Sequence, residues 1–314
     1  MDAGHFWCST GVCPRSHLFR HFHQRCDEVL DLVNGFVSKF ADDTKYGQII
    51  PNEEDRREMQ RNIDKLSQWA ETWQMDYNSK KCKIMHFGNK NPQHSYCMGG
   101  YAPAGTILQV VSEEKDIGVI VSDDLKPSSQ CGKAVKKASS ILGQMARSFH
   151  YRDKDVWIHL YKTYVRHHLE FAVQAWSPWY IKDVELLEKV QERAVNMVTG
   201  LLSKTYEGKL RELNLSSLYD RRIRGDMIQT WKYLHHQNPG GEKLFRMAGD
   251  QHQRLSRHTQ KPWNIARTNA GRLEVRRNFY TSRCVDKWNM LPHGVQNVGS
   301  LNEFKNTYDK FVRR

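Results

Sequence analysis

Short β-prone runs and one long helical run alternate along residues 35–126. Two of the β-prone runs, 35–41 and 44–50, flank the acidic pair Asp42 and Asp43. Because two such runs joined by a short polar segment tend to pair with each other, the pattern predicts a hairpin with both carboxylates at its turn.

A helix is predicted to follow the hairpin. Pro51 and Asn52 end the second strand, and the apolar positions after them recur at helical spacing: Met59, Ile63, Leu66, Trp69, Ala70 and Trp73. Such spacing predicts one apolar stripe along a single helix. Further strands are predicted at 84–87, 106–111 and 117–121. A hairpin, a helix and more strands together predict an α+β domain, in which an antiparallel sheet packs against a helix.

From Pro127 onward the pattern is mostly helical. Three stripes recur at helical spacing: Val135, Ala138, Ile141, Leu142 and Met145; Val156, Leu160, Tyr164 and Val165; and Val184, Leu187, Val190, Ala194, Val195 and Val198. A fourth helix is predicted over 222–236, and the Asn, Pro and Gly residues of 237–241 are expected to end it. Residues 1–34 show no sustained period and are expected to be irregular. The chain thus divides into 1–34, 35–126 and 127–314.

The amino-acid composition indicates that the chain binds a polyanionic partner. The 314 residues contain 48 Lys and Arg against 35 Asp and Glu, which gives a formal net charge of +13. A charge of this sign and size is typical of proteins that bind RNA or DNA, although purely solubilising surfaces also produce it. No run of about 18 apolar residues is present, so no helical membrane span is expected. Seven cysteines at irregular spacing favour reduced thiols and an intracellular location, nuclear or cytoplasmic.

The acidic pair has a direct chemical use. Adjacent carboxylates can bind Mg²⁺ or Mn²⁺, and two such ions a few ångström apart catalyse phosphoryl transfer in polymerases and nucleases. Asp is also common in turns that bind nothing, because its side chain favours turn conformations. The pair by itself is compatible with both interpretations.

The surroundings of the acidic pair resemble a known family. Phe40-Ala41-Asp42-Asp43-Thr44, after a short apolar strand, is similar to the palm motif of reverse transcriptases from non-LTR (LINE-type) retrotransposons. The similarity is greatest to jockey-like and chicken-repeat-like elements, and it covers roughly residues 35–314. It continues in order through 69–75, Asn78, 80–83, 114–119, 124–126, 191–194, 277–280, 285–289 and 291–292.

The resemblance implies an RNA-directed DNA polymerase, which performs two-metal nucleotidyl transfer on a template–primer of RNA and DNA. Asp42 would then be the principal catalytic and metal-ligating carboxylate, with Asp43 beside it and Mg²⁺ or Mn²⁺ as the cofactor. Lys81 or Lys83 would lie near the phosphates of the incoming nucleotide. A partial palm would occupy 35–126, thumb-like helices 127–202, and a basic helical region 203–314.

The segment before the hairpin departs from the family pattern. Members of the family carry a further catalytic aspartate upstream, and a segment ending in Ile-Phe-Ile-Asn-Asp should precede the hairpin. This chain instead has residues 20–27, whose codons, taken one base later, permit Ala-Ile-Phe-Ile-Asn-Asp-Val-Met. We therefore expect the residues before about Asn34 to derive from a shifted reading frame. We also expect the chain, truncated before most of the palm and fingers, to be inactive as an isolated polymerase.

A basic stretch at 252–288 is a second candidate site, since basic side chains contact phosphates and aromatic faces stack on unpaired bases. Its aromatic residues are Trp263, Phe279, Tyr280 and Trp288. The nucleic-acid contacts expected here and on the first thumb-like helix are Lys133, Lys136, Lys137, Arg254, Arg257, Lys261, Arg267, Arg272, Arg276, Arg277 and Arg283. The alternative is a helical core surrounded by solvated arginines, which the spacing of Trp288 with Val285 and Leu291 favours for that residue.

Two classes of function are compatible with these patterns. The chain is either an enzyme fragment derived from a reverse transcriptase or a non-catalytic basic protein that binds RNA or DNA. An unselected product of a decayed element is a further alternative.

Overall fold

The structure is a computed structural model that describes residues 3–9, 29–30, 35–41, 43–74, 77–88, 91–99, 105–238, 240–248, 263–267 and 271–312, with the backbone alone for 3–9 and 242. The chain divides into two compact units, Met1–Lys126 (unit 1) and Pro127–Arg314 (unit 2). Unit 1 contains strands and a helix, and unit 2 is built of helices. The prediction of a mixed α+β chain is correct at this level.

Unit 1 is organised around a five-stranded sheet. Its elements are β1 (Ala3–Ser9), β2 (Gly35–Phe40), β3 (Asp43–Ile49), α1 (Glu53–Thr72), β4 (Lys83–Phe87), β5 (Cys97–Met98), β6 (Thr106–Ile107), β7 (Gln109–Val110), β8 (Glu113–Asp116) and β9 (Val119–Ser122). The sheet has the order β2-β3-β1-β4-β7, in which only the β4–β7 pairing is parallel among the described strands. The pairs β5–β6 and β8–β9 form separate two-stranded sheets.

Strand β1 corrects the prediction that residues 1–34 are irregular. Ala3–Ser9 pairs with β3 over its whole length and with β4 from Ala3 to Trp7. Backbone hydrogen bonds on both edges stabilise such a strand. Because those bonds come from segments distant in sequence, the local pattern of residues 3–9 gave no sign of the pairing.

Helix α1 covers one face of the sheet. It begins after Asn52, whose side chain accepts a hydrogen bond from the backbone N–H of Asp55 at 2.9 Å, as an N-cap residue does. The predicted stripe is confirmed for five of its residues, all buried: Met59, Ile63, Leu66, Trp69 and Ala70. Trp73 is 45% exposed, so its assignment to the stripe was wrong, because the helix ends at Thr72.

The other strand predictions in unit 1 are correct in part. The hairpin is confirmed as β2–β3, and 84–87 forms most of β4. The run 106–111 forms two very short strands instead of one. The strand predicted over 117–121 begins two residues later than expected, at Val119. Ile117 and Gly118 instead form the turn between β8 and β9, with φ of +43° and +90°. Two positive φ values in succession are typical of a type I′ hairpin turn.

Unit 2 consists of helices in the part of it that the structure describes. They are α2 (Ser128–Ser148), α3 (Lys154–Leu160), α4 (Arg166–Glu170), α5 (Val173–Trp176), α6 (Ile181–Asn196), α7 (Tyr206–Glu212), α8 (Leu218–Leu234), α9 (Gly241–Leu244), α10 (Glu274–Asn278), α11 (Tyr280–Asn289), α12 (His293–Gln296) and α13 (Leu301–Val312). A π-helical turn, Tyr161–Val165, joins α3 to α4. The fourth predicted helix corresponds to α8, which starts four residues earlier than expected.

The predicted apolar stripes of unit 2 differ in accuracy. The α6 stripe is confirmed for Leu187, Val190, Ala194 and Val195, which are buried. Val184 is half-buried, and Val198 is buried but follows the end of the helix. On α2 the buried apolar residues are Cys131, Ala134, Ala138, Leu142 and Met145, whereas Val135 and Ile141 are half-buried. Val156 and Tyr164 are exposed, and the buried residues of that segment are Trp157, Ile158, Tyr161 and Val165. The error begins before the π-helical turn, since in α3 it is Trp157 and Ile158, and not Val156, that are buried.

The core of unit 2 joins helices α8, α11 and α13. Its largest side chains are Trp231, Trp288 and Phe304, and each is at most 1% exposed.

Cys131 and Cys284 are buried free thiols, but Cys82 of unit 1 is disulfide-bonded, which contradicts the expectation that all the cysteines are reduced. Within the described ranges no helix is both long and apolar enough to cross a membrane.

Candidate functional site

The tip of the β2–β3 hairpin is the site that the sequence singled out. Phe40 pairs with Asp43 across the hairpin, and Ala41 follows Phe40 with a positive φ of +52°. Asp43 is the first residue of β3 and is partly buried. Asp42 lies outside the described residues, so of the acidic pair the structure places Asp43 alone.

Asp43 shares a face of the sheet with two lysines. Lys45 is two residues further along β3, and Lys45 and Lys83 both pair with Trp7 of β1. Directly opposed residues and residues two apart on a strand project to the same side of a sheet. Tyr46 projects to the other side, where it packs with α1 in the core. Asp43, Lys45 and Lys83 therefore lie on the face opposite α1.

Two ion pairs hold the β8–β9 hairpin against this face. Lys45 contacts Asp116, and Nζ of Lys83 lies 2.6 Å from Oε2 of Glu114. The four side chains are only 15–29% exposed, so solvent screens the pairs less than it screens fully exposed ones. Lys83 is thus engaged by Glu114, whereas Lys81 is exposed in the turn before β4. The resemblance left the choice between these lysines open, and their surroundings now distinguish them.

The described carboxylates do not fit a two-metal centre. Such a centre needs several oxygen ligands that converge on two cations. On this face Asp43 is accompanied by Glu114 and Asp116, which are each neutralised by a lysine. Among the described residues no group of three or more His, Cys, Asp or Glu side chains could hold a metal ion. We therefore derive no reaction step through Mg²⁺ or Mn²⁺ from these residues.

The different surroundings of Lys83 and Lys81 give a first prediction. Replacing Lys83 with Met is expected to destabilise the β8–β9 hairpin by about 0.5–1 kcal/mol, because Glu114 loses its partner. Lys81→Met is the matched control and should change nothing, since Lys81 is exposed. Amide hydrogen exchange of Val119–Ser122 measures the difference. Equal exchange rates in the two variants would show that the ion pair contributes nothing.

The lysines of α2 lie on its solvent face. Lys133, Lys136 and Lys137 are exposed, on the side away from buried Cys131, Ala134 and Ala138. Burial lowers the pKa of the neighbouring His168, and the charges of His167 and Lys137 lower it further. A lowered pKa favours the neutral form of His168, so the positive charge on this side of α2 comes from its lysines.

The predicted cations of the basic stretch are in different surroundings. Arg254, Arg257 and Lys261 lie outside the described residues. Arg272, Arg276 and Arg277 are exposed, and Nη2 of Arg277 donates to the backbone oxygen of Arg272 at 3.0 Å. Arg267 makes a highly exposed ion pair with Asp286 at 2.9 Å, which holds it only weakly.

Arg283 differs from the other predicted cations because its guanidinium is occupied inside unit 2. It donates to both carboxylate oxygens of Asp226, at 2.9 and 3.0 Å, and to the backbone oxygens of Asn278 and Gln174. The Arg283 side chain is 15% exposed and that of Asp226 is 7% exposed. Four of its five N–H donors are thus used within unit 2, and we assign Arg283 a structural role.

The aromatic residues of the same stretch belong mainly to the core. Trp288 and Tyr280 are buried, and the indole N–H of Trp288 donates to the backbone oxygen of Trp263 at 2.8 Å. Trp263 is partly buried and stacks on His235. Phe279 is 55% exposed, so among these four it alone presents most of its ring to solvent. The alternative of a helical core is thus correct for Trp288 and Tyr280.

Sequence reasoning missed a cavity in unit 2 that contains a buried arginine. Arg222 of α8 is only 3% exposed and lines this cavity together with Trp179. Arg222 is four residues from both Leu218 and Asp226, which are buried as well. That spacing was the available signal, although a basic residue at helical spacing is far more often solvated.

The chain matches no protein-family model, no curated protein and no solved structure. Its functional interpretation therefore depends on the ordered motifs and on the geometry of the two units.

Proposed function

We propose that the chain is a portion of a non-LTR retrotransposon reverse transcriptase that binds RNA and DNA but does not extend a primer by itself. The observation that carries the proposal is the order of elements in unit 1. A hairpin with the Phe-Ala-Asp-Asp motif at its tip, a helix, and a strand that begins at Lys83 follow one another. The resemblance implies this order of elements for a palm, and the antiparallel pairing of β2, β3, β1 and β4 is compatible with it.

The absence of catalysis follows from the carboxylates on the sheet. In-line transfer needs two cations clamped between attacking and leaving oxygens. Two adjacent aspartates on one hairpin could hold one cation weakly. The other carboxylates on that face, Glu114 and Asp116, are held by lysines. A substrate would have to break those ion pairs before either group could bind a metal ion.

Nucleic-acid binding is assigned to the exposed cations of unit 2. Lys136 and Lys137 on α2, with Arg272 and Arg276 near α10, present charges that are paired with no acid among the described side chains. Each cation that neutralises a phosphate releases a condensed counterion, so affinity falls as salt rises. This mode of binding needs no base-specific contact, as expected for a protein that grips a duplex of any sequence.

The charges on α2 give the second prediction, which tests this assignment. Reversing Lys136 and Lys137 together, Lys136→Glu and Lys137→Glu, should weaken binding to an RNA/DNA duplex at least tenfold at low salt. The slope of log affinity against log salt should also become shallower by about 2. Fluorescence anisotropy with a labelled duplex measures both quantities.

The matched control reverses two exposed lysines on other helices, Lys189→Glu on α6 and Lys310→Glu on α13, and so changes the net charge equally. A smaller effect in the control places the phosphate contacts on α2. Equal effects in the two double variants would mean that only the net charge matters, and the assignment to α2 would then be wrong.

A non-catalytic basic protein that binds RNA or DNA is the second candidate. The exposed cations of unit 2 favour it, because they alone would suffice for binding. The two candidate functions differ at the hairpin tip, because Asp42 and Asp43 have no role in a protein that only binds nucleic acid. Neutralising both aspartates should then leave duplex binding unchanged with and without Mg²⁺.

A further inference from the structure

A cavity of about 350 Å³ lies inside unit 2, among helices α6, α8 and α11 and the loop that precedes α6. Polar and aromatic groups on its wall include Trp179, Tyr219, Arg222, Asn278 and Lys287. Pro178, Ile181, Val184 and Ile223 form an apolar part of the same wall. The volume is at the lower end of the range for sites that bind small molecules, which is about 300–1,000 Å³.

Arg222 places unsatisfied donors in this wall. The residue is 3% exposed, and within the described structure its Nη1 and Nη2 atoms have no hydrogen-bond partner. Burial lowers the pKa of the guanidinium, and the attraction of Glu188 offsets this in part. An arginine nevertheless stays charged at neutral pH. A buried cation without hydrogen bonds is costly, and such groups are normally paired.

The two carboxylates whose charges act on Arg222, Glu188 and Glu170, are already engaged by other groups. Glu188 accepts hydrogen bonds from the backbone N–H of Leu218 at 3.0 and 3.2 Å. Glu170 accepts from Arg221, with Nη2 of Arg221 2.9 Å from one oxygen. Neither carboxylate forms a hydrogen bond with Arg222 in the described structure, which leaves the buried Nη1 and Nη2 atoms of Arg222 unpaired next to the cavity.

Trp179 contributes a second unsatisfied donor to the same cavity. Its indole Nε1 is shielded from solvent and has no partner among the described residues. The indole N–H and the guanidinium can only donate hydrogen bonds. A ligand that satisfies both must therefore offer acceptor oxygens, and an anion would do so with the greatest gain.

The remaining charges of the wall also favour an anion. Asp226 is the one carboxylate that lines the cavity among the described residues, and it is neutralised by Arg283. Lys287, whose Nζ lies 5.7 Å from the ring centre of Tyr219, adds a second positive charge to that of Arg222. Helix α6 begins at Ile181 in the wall, so the positive end of its dipole lies at the cavity.

We propose that this cavity binds the phosphate group of a nucleotide, through Arg222, the indole N–H of Trp179 and Lys287. The apolar wall and the rings of Trp179 and Tyr219 would contact the base or sugar. The nucleotide is either free in solution or the 5′-phosphorylated end of a nucleic acid, since both present the same phosphomonoester. The proposal is independent of the polymerase resemblance, because it rests on the donors of unit 2 alone.

Isothermal titration calorimetry of the full chain with AMP, inorganic phosphate and adenosine tests the proposal. AMP should bind more tightly than phosphate, and adenosine should bind weakly or not at all. Arg222→Met should weaken AMP binding roughly 10- to 100-fold, as expected for the loss of hydrogen bonds from a charged group. Trp179→Phe keeps an aromatic ring without the N–H and should weaken it about two- to tenfold.

Stability measurements separate a lost site from a misfolded protein. Arg222→Met removes an unpaired buried charge, so its thermal stability should equal or exceed that of the unchanged chain. Arg224→Met is the matched control, because Arg224 lies on the same helix and pairs with Asp309 at 2.6 Å, outside the cavity. AMP binding should be unchanged in this control.

Competition distinguishes the two sources of the phosphate. Displacement of AMP by a short 5′-phosphorylated oligonucleotide, but not by its 5′-hydroxyl form, would assign the site to nucleic-acid ends. Failure of both oligonucleotides to compete would assign it to free nucleotides. Equal AMP affinity in the unchanged chain and Arg222→Met, or no binding of AMP at millimolar concentration, would overturn the proposal.

Discussion

Replacing Asp226 with Ala is expected to lower the free energy of unfolding of unit 2 by about 3–5 kcal/mol, because it leaves the guanidinium of Arg283 buried without its counterion. Arg283 makes hydrogen bonds of 2.9 and 3.0 Å to Asp226, and the two side chains are 15% and 7% exposed. Urea denaturation followed by circular dichroism measures the change.

The matched control for Asp226→Ala is Asp309→Ala. Asp309 also pairs with an arginine of α8, Arg224, but the two side chains are 36% and 34% exposed. This more exposed pair should contribute less than about 1 kcal/mol. If Arg283 instead served nucleic-acid binding, Arg283→Met would reduce duplex affinity at unchanged stability. A loss in Asp226→Ala no larger than in Asp309→Ala would contradict the structural role of this pair.

Replacing Trp288 with Ala is expected to cost about 3–5 kcal/mol of stability, since it removes one of the two fully buried tryptophans of the unit 2 core. Trp288 is fully buried, lies 5.9 Å from Phe304 between ring centres, and donates its indole N–H to Trp263. Phe279→Ala is the control, because that ring is 55% exposed and should cost well under 1 kcal/mol. Thermal denaturation of the two variants gives the comparison.

The same pair of variants distinguishes a core residue from a base-stacking one. A Trp288 that stacked on a base would lose RNA affinity as alanine without losing stability. We expect the reverse: Trp288→Ala should lose stability, and Phe279→Ala should lose about 1–3 kcal/mol of RNA-binding free energy at unchanged stability, as expected for one stacked base.

Local patterns in the sequence were sufficient for the elements whose stability is local. The β2–β3 hairpin, the buried stripe of α1 and the stripe of α6 were all predicted, because the period of apolar residues in one segment determines which face is buried. The stripe through Val156 and Tyr164 was wrong, because large apolar or aromatic residues lie on more than one face of this segment and the buried face is the one with Trp157 and Tyr161. The local period alone does not decide between such faces.

Local sequence patterns did not predict contacts between residues that are distant in the chain. Strand β1 depends on hydrogen bonds to β3 and β4, and the engagement of Lys83 depends on Glu114, 31 residues away. The same holds for the candidate sites. The basic stretch is uniform in sequence, yet Arg283 is partly buried and paired with Asp226, 57 residues away, while Arg276 is exposed. Only the fold separates structural cations from those that are available to bind.

The most direct test of the proposed function is a primer-extension assay with the purified 314-residue chain, an RNA template annealed to a DNA primer, and Mg²⁺ or Mn²⁺. The salt concentration is one at which fluorescence anisotropy shows that the chain binds the duplex. We predict binding without extension, and the same result for Asp42→Asn. Extension of the primer by the unchanged chain that is abolished in Asp42→Asn would contradict the account, because it would demonstrate a functional metal centre at the hairpin tip. If the chain does not bind the duplex even at low salt, the proposal that it binds nucleic acid would be wrong.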